Sequence, residues 1–166
     1  MEQLEFREFY RASQGDCLRA VLACTGDRQL AEDLVAEAYA TAWGSWAKVG
    51  RHPAPRAWIV RTALNTRVSW WRRRRREVAV GGVPDVAGPD DPSVGGLDPT
   101  LLAALRELPR RQREVIALRV FLDLDTRATA RTLGIAEGTV TAHLSRAVTT
   151  LRGQLVPTVT AEEGER

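Results

Sequence analysis

Residues Leu133 to Arg152, LGIAEGTVTAHLSRAVTTLR, constrain the fold more than any other stretch of the chain. Gly134 lacks a Cβ and so takes the left-handed conformation that a tight turn needs, and Glu137 opens the following helix with a negative charge at its positive end. Val140, Leu144, Val148 and Leu151 then recur at spacings of four, four and three, which is one face of a helix. The other side carries Thr141, His143, Ser145 and Arg146, short polar and basic groups of the kind that reach base edges and phosphates in a major groove. The pattern predicts the second half of a helix-turn-helix. An ordinary amphipathic helix after a glycine turn has the same spacing, so the rest of the chain must decide between the two.

Charge distribution helps. The 166 residues allow one ordinary domain or two small ones, and the net charge of +3 conceals a segregation along the chain. Residues 1–76 carry 14 basic and 8 acidic side chains, residues 77–98 none and 5, residues 99–153 9 and 5, and the tail from 154 1 and 3. Two basic modules are thus joined by an acidic linker. Every basic residue except Lys48 is an arginine, whose planar fork suits phosphate and guanine. No apolar run reaches membrane length and the start, MEQLEFREFYR, lacks a leader pattern, so the expectation is a cytoplasmic protein without a membrane segment. Cys17 and Cys24 stand seven apart on one expected helix, roughly 10 Å between Cα atoms, too far for a disulfide. They are expected as small buried apolar residues, and no further Cys or His ligands stand at a spacing that suits a metal.

Almost everything outside the linker has helical period. A first helix is expected over 4–23, ended by Gly26, with Asp27 capping a second that runs through Leu30, Leu34, Ala38 and Ala42 beside Val35, Tyr39, Trp43 and Trp46. Its other face shows Glu32, Asp33 and Glu37. After a loop with Gly50, Pro53 and Pro55, a third helix is expected over 56–76, and it ends in the run Arg72 to Arg76. Residues 77–97 are rich in Gly, Pro and Asp, which predicts a flexible connector. Two short helices, LLAALREL and RRQREVIALRVF, lead into the helix-turn-helix. No strand alternation is sustained, so the fold class is all-α: two small helical domains on a flexible acidic linker, the second ending in the helix-turn-helix.

Four segments in this order carry a resemblance: AEDLVAEAYATAW at 31–43, RAWIVRTALNTRVSWWRRRRRE at 56–77, LRELPRR at 105–111, and the helix-turn-helix itself. Together they resemble the bacterial extracytoplasmic-function sigma factors, which keep only the second and fourth conserved sigma regions. The resemblance implies region two over 1–76, a linker over 77–97, region four over 98–153 and an acidic tail over 154–166. It implies a subunit that binds core RNA polymerase through the clamp of its largest subunit and the flap of its second-largest, recognises promoter DNA and helps to open it. An anti-sigma protein is a possible further partner, and no cofactor is implied.

Residue by residue, the resemblance assigns polymerase docking to Asp33, Leu34, Val35 and Glu37, where an exposed carboxylate row beside apolar residues suits a basic partner helix. It assigns minus-ten recognition to Lys48, Arg51, Trp58, Arg61, Asn65, Arg72, Arg73 and Arg74. Melting unstacks a base, which aromatic rings and an amide that donates and accepts can hold, and Asn65 lies one turn from Arg61 and two from Trp58. Trp58 is expected to lie mostly in the core. Five adjacent arginines repel one another unless a polyanion is near. Minus-thirty-five recognition falls to Thr139, Thr141, Ala142, His143 and Arg146, with Arg146 the firmest contact and His143 either a contact or a packing residue. The chain departs from the family at Thr141 and His143, where basic residues are usual, at Ala128 and Thr129, and at Ala36, where glutamine is common. Two other classes stand beside this one. A stand-alone helix-turn-helix repressor or activator shares residues 124–152 but leaves the acidic second helix and the tryptophan-arginine helix unexplained. An enzyme needs clustered ligands or a nucleophile with its base, and His52 and His143 lie in different modules, so none is expected.

Overall fold

The computed structural model describes residues 1–78 and 96–156, with backbone alone for 68–78. Every regular element among them is helical: α1 (Glu2–Thr25), α2 (Arg28–Gly44), the single turn α3 (Trp46–Val49), α4 (Pro55–Val78), α5 (Pro99–Arg106), α6 (Arg110–Ile116), α7 (Thr126–Leu133) and α8 (Glu137–Leu155), with a π-helical segment, Ala117–Phe121, continuing α6. The fold is all-α, as the sequence implies. The connector expected over 77–97 lies almost wholly outside the described residues, and so does the tail from 157.

Local chemistry sets the helix ends. Gly26 closes α1 at φ 67°, donating its N–H to Leu22 O at 2.8 Å. Asp27 then caps α2 by accepting from the N–H of Leu30 at 3.0 Å. Asp98, followed by Pro99, caps α5 through the N–H groups of Thr100 (2.7 Å) and Leu101 (3.3 Å). Asp125 caps α7 through Ala128 N–H at 2.7 Å, and Gly134 (φ 66°) makes the turn of the helix-turn-helix. One helix departs from the sequence pattern. The run RRQREVIALRVF reads as a single α-helix, but its last turn widens so that Leu122 N–H meets Ala117 O at 3.2 Å, five residues back, and Asp123 follows at φ 53°.

The core is built on α1. Its inner residues Cys17, Ala20 and Val21 meet Leu34, Ala38 and Ala42 of α2 and Ile59, Val60 and Ala63 of α4, all buried. Ser13 donates to Phe9 O (2.6 Å), which leaves its hydroxyl to accept from the buried Tyr39 hydroxyl at 2.7 Å. Phe6 meets Trp46 edge-on and Phe9 lies tilted against it, both with ring centroids at 5.2 Å, and the three close the N-terminal end. The same buried cluster continues into Val115, Leu118 and Leu122, and a second joins Ala23 to Leu105, Leu108, Ile116 and Ala147. The sequence presents two modules on a flexible joint; in the structure the two halves lie against each other and share a core.

Both cysteines are free and buried. Burial pushes the Cys24 thiol from 9.0 up to about 12, with Glu114 adding to the shift and Arg113 opposing it, and burial pushes Cys17 up to about 11. A raised folded pKa means that above 9 the native chain holds protons the unfolded chain has released, so stability falls as pH rises from 9.0 through about 12. The melting temperature is expected to drop between about pH 8 and about pH 10.5, and Cys24→Ala to flatten part of that drop, read by thermal melts over a pH series. A parent and a variant with identical alkaline profiles contradict the burial of this thiol.

A candidate polymerase and nucleic-acid surface

α2 presents two unlike faces. Leu34 (1 % exposed) and Val35 (7 %) are in the core, whereas Asp33 and Glu37, one turn apart, are in solvent with Ala36 between them. Gln29 Nε2 donates to Asp33 Oδ1 at 3.2 Å, and Glu32 is held by Arg28 at 3.0 Å. The docking row expected of Asp33, Leu34, Val35 and Glu37 is therefore corrected: positions 33, 34 and 35 point to different sides of a helix, and the two apolar members hold α2 in place while the two carboxylates face outward.

The turn α3 and the loop after it display Lys48, Arg51 and His52. His52 Nδ1 accepts from the N–H of Ala54 at 3.0 Å, so the proton of the neutral ring sits on Nε2, away from the chain. Along α4, Trp58 is half-buried and packs against the core, as expected of it, while Arg61 and Asn65 are exposed on the next two turns. These residues line one wall of a cleft of about 680 Å³. The facing wall belongs to the second half of the chain: Asp125, Arg127, Arg131 and Thr132 of α7 and its cap. Arg61 donates across the cleft to Thr132 O. The side chains of Arg72, Arg73 and Arg74 lie outside the described residues, though the backbone that carries them continues α4.

In α8, Thr139, Thr141 and Arg146 are exposed, whereas Ala142 and His143 are half-buried. Thr141 Oγ1 donates to Glu137 O at 3.2 Å, one turn back on its own helix. His143 Nδ1 is buried without a hydrogen-bond partner among the described residues. The Nδ1 edge of its ring is turned inward while the residue as a whole is half-buried, so the face α8 offers is narrower than the sequence suggests. Sequence reasoning missed a group of arginines. Arg67 of α4 (3.3 Å) and Arg113 of α6 (3.0 Å) both donate to Cys24 O, and Arg106 of α5 donates to Gly26 O. Burial first, and then its neighbour Arg113, lowers the Arg67 pKa. Nothing in helical period marks these residues, because each looks like a solvated charge on its own helix. The pair Arg127 and Arg131, one turn apart on α7, did carry a readable signal.

Comparison with known proteins agrees with this layout. The description of sigma-70 region 2 matches residues 9–77, and that of sigma-70 region 4 matches residues 100–151. The RNA polymerase sigma-E factor of Streptomyces coelicolor is 36% identical over 157 residues, covering 93% of this chain and 88% of that protein. The ECF RNA polymerase sigma factor SigL of Mycobacterium tuberculosis is 37% identical over 141 residues, covering 81% and 79%. Among solved structures, the sigma factor RpoE in complex with the anti-sigma factor NepR from Bartonella quintana superposes with a TM-score of 0.74 at 25% identity, covering 90% of this chain and 96% of that one.

The two faces of α2 separate in stability. Leu34→Ala is expected to cost about 2–5 kcal/mol, the range for emptying a packed site. Asp33→Ala and Glu37→Ala are each expected to stay within about 0.5 kcal/mol of the parent. Urea unfolding followed by circular dichroism measures both, and a Leu34→Ala chain as stable as the parent contradicts the packing described for α2.

Proposed function

This chain belongs to the extracytoplasmic-function sigma factors, and from that premise we propose how its two halves divide the work of starting transcription. The protein is an alternative sigma factor that directs RNA polymerase to promoters and initiates transcription there. The observation that carries this is the pair of region matches, second region before fourth, spanning both helical halves. A stand-alone helix-turn-helix regulator leaves the match over residues 9–77 without a purpose. We assign region two to 1–76, a connector to 77–97, region four to 98–153 and a tail to 154–166.

Docking on core polymerase falls to Asp33 and Glu37, because they are carboxylates on the outer face of a helix whose inner face is anchored, a surface suited to a basic helix of the polymerase clamp. Region four engages the flap of the second-largest subunit. Lys48, Arg51, Trp58, Arg61 and Asn65 read the minus-ten element, Asn65 with its amide and Trp58 with a ring steadied by the core, while Arg72, Arg73 and Arg74 track phosphates. Thr139, Thr141 and Arg146 meet the minus-thirty-five duplex, supported by Ala142 and His143 behind them. The protein acts by binding and carries out no reaction of its own. No helix among the described residues is long and apolar enough to cross a membrane, and we place its work in the cytoplasm with the polymerase. The likeness to a sigma factor held by an anti-sigma protein supports a similar inhibitor for this chain.

Mixing the protein with core RNA polymerase is expected to yield transcripts from discrete start sites, and transcripts no different from those of core alone contradict the assignment. With that holoenzyme, Asp33→Arg with Glu37→Arg is expected to reduce co-purification with core at least about tenfold, roughly 1.4 kcal/mol, with helicity unchanged. Asn65→Ala is expected to lower permanganate reactivity of melted bases and to relax preference at one minus-ten position. Its salt dependence should stay near that of the parent, because an amide displaces no counterion. If Asn65→Ala opens every minus-ten variant as the parent does, base reading belongs to the loop from Lys48 to Pro55 instead.

A further inference from the structure

We propose that Thr141 reads a thymine by its methyl group: Cγ2 of Thr141 meets the 5-methyl of a thymine in the minus-thirty-five duplex, and the Thr141 hydroxyl plays no part in choosing the base. The inference rests on the assignment of α8 to that duplex given above, and it names the base chemistry that one residue of the helix recognises.

Orientation comes first. Val140 and Ala147 are buried on the inner side of α8, which packs against α6 and α7, and Thr141, in the second turn, is exposed. In a helix-turn-helix the early residues of the second helix are the ones that reach base edges in the major groove. The hydroxyl is already committed. Thr141 Oγ1 gives its single proton to Glu137 O at 3.2 Å, and while that bond holds it cannot donate to the acceptors that guanine, adenine and thymine show in the groove. The Cβ of a threonine carries one other heavy atom besides the oxygen, so the methyl is the group that Thr141 has left to offer. Thymine alone among the four bases carries a methyl on its major-groove edge. The neighbouring residues do not compete for the role. Residues 138–145 include no asparagine, glutamine, arginine or lysine, the side chains that make two bonds to one adenine or guanine. Ala142, half-buried beside Thr141, has no polar side-chain atom, and His143 buries its Nδ1.

The test uses the full-length chain with core polymerase on a promoter whose start site has been mapped. Each minus-thirty-five thymine is replaced in turn by deoxyuridine, which pairs in the same way and lacks only the methyl, and each duplex competes against the parent duplex for binding. One position is expected to lose about fourfold in affinity, the worth of one buried methyl group. Thr141→Val, which keeps the methyl and lacks the hydroxyl, is expected to retain both the affinity and this ratio. Thr141→Ser, which keeps the hydroxyl and lacks the methyl, is expected to bind the two duplexes equally. The proposal is overturned if deoxyuridine has no effect at any position, or if the element contains no thymine. It is also overturned if Thr141→Ser leaves the ratio unchanged, which assigns the effect to duplex shape, or if Thr141→Val loses preference at that position, which makes the hydroxyl the reader. Arg146→Ala keeps the two readings apart. If it weakens minus-thirty-five binding while deoxyuridine is tolerated everywhere, α8 still meets the duplex and the methyl contact alone fails; if neither change has any effect, the assignment of α8 fails and the methyl contact with it.

Discussion

The C-terminal end of α1 holds the molecule together. A helix end leaves carbonyls without partners and carries the negative pole of the helix dipole, and here guanidinium groups from three other helices meet those carbonyls. Arg67 comes from the same half of the chain, Arg106 and Arg113 from the other half. Because the donors are charged and partly desolvated, each bond is worth more than a neutral one, and removing a donor leaves a carbonyl short of a partner. Gly26 makes this possible twice over, by turning the chain at positive φ and by leaving room for Arg106.

That joint explains why the two halves are not independent beads. Arg67, Arg110 and Arg113 lie close enough to repel, and Glu114, 5 % exposed, offsets them while accepting from Arg110 at 2.9 Å and Arg111 at 2.8 Å. A buried carboxylate among arginines is costly if it loses its partners. Parting the halves hydrates Arg67 and Arg113 together, which relieves their mutual repulsion, while exposing Leu118 and Leu122 costs apolar burial. The charge-assisted bonds to Cys24 O and Gly26 O and the apolar burial thus favour the closed joint, and the repulsion between Arg67 and Arg113 opposes them.

Much of this was legible from residue order, and the reason differs by element. Caps are local chemistry, so Asp27, Gly26 and Gly134 mark their turns in sequence and do so in the structure. Helical period reported which residues of α2 and α4 face a core, but a period says nothing about what covers that face. That is why the shared cluster of α1 with Leu118 and Leu122 was not foreseen. The same limit put Leu34 and Val35 in a docking row: a motif compresses a helix into a line, and consecutive residues then seem to share a surface they do not share. The π-turn at Ala117–Phe121 has no sequence signature either.

The two helices proposed to read DNA are unequal in chemistry, and the structure sharpens the inequality. In α8 the Thr141 hydroxyl is bonded to its own helix and His143 buries its Nδ1, and Arg146 is the one charged group among the five residues proposed for the minus-thirty-five element. Region two carries 14 of the 24 basic residues, five of them in the unbroken run at the end of α4. On the roles proposed for the two halves, phosphate neutralisation, which sets affinity and its salt dependence, is therefore concentrated in region two.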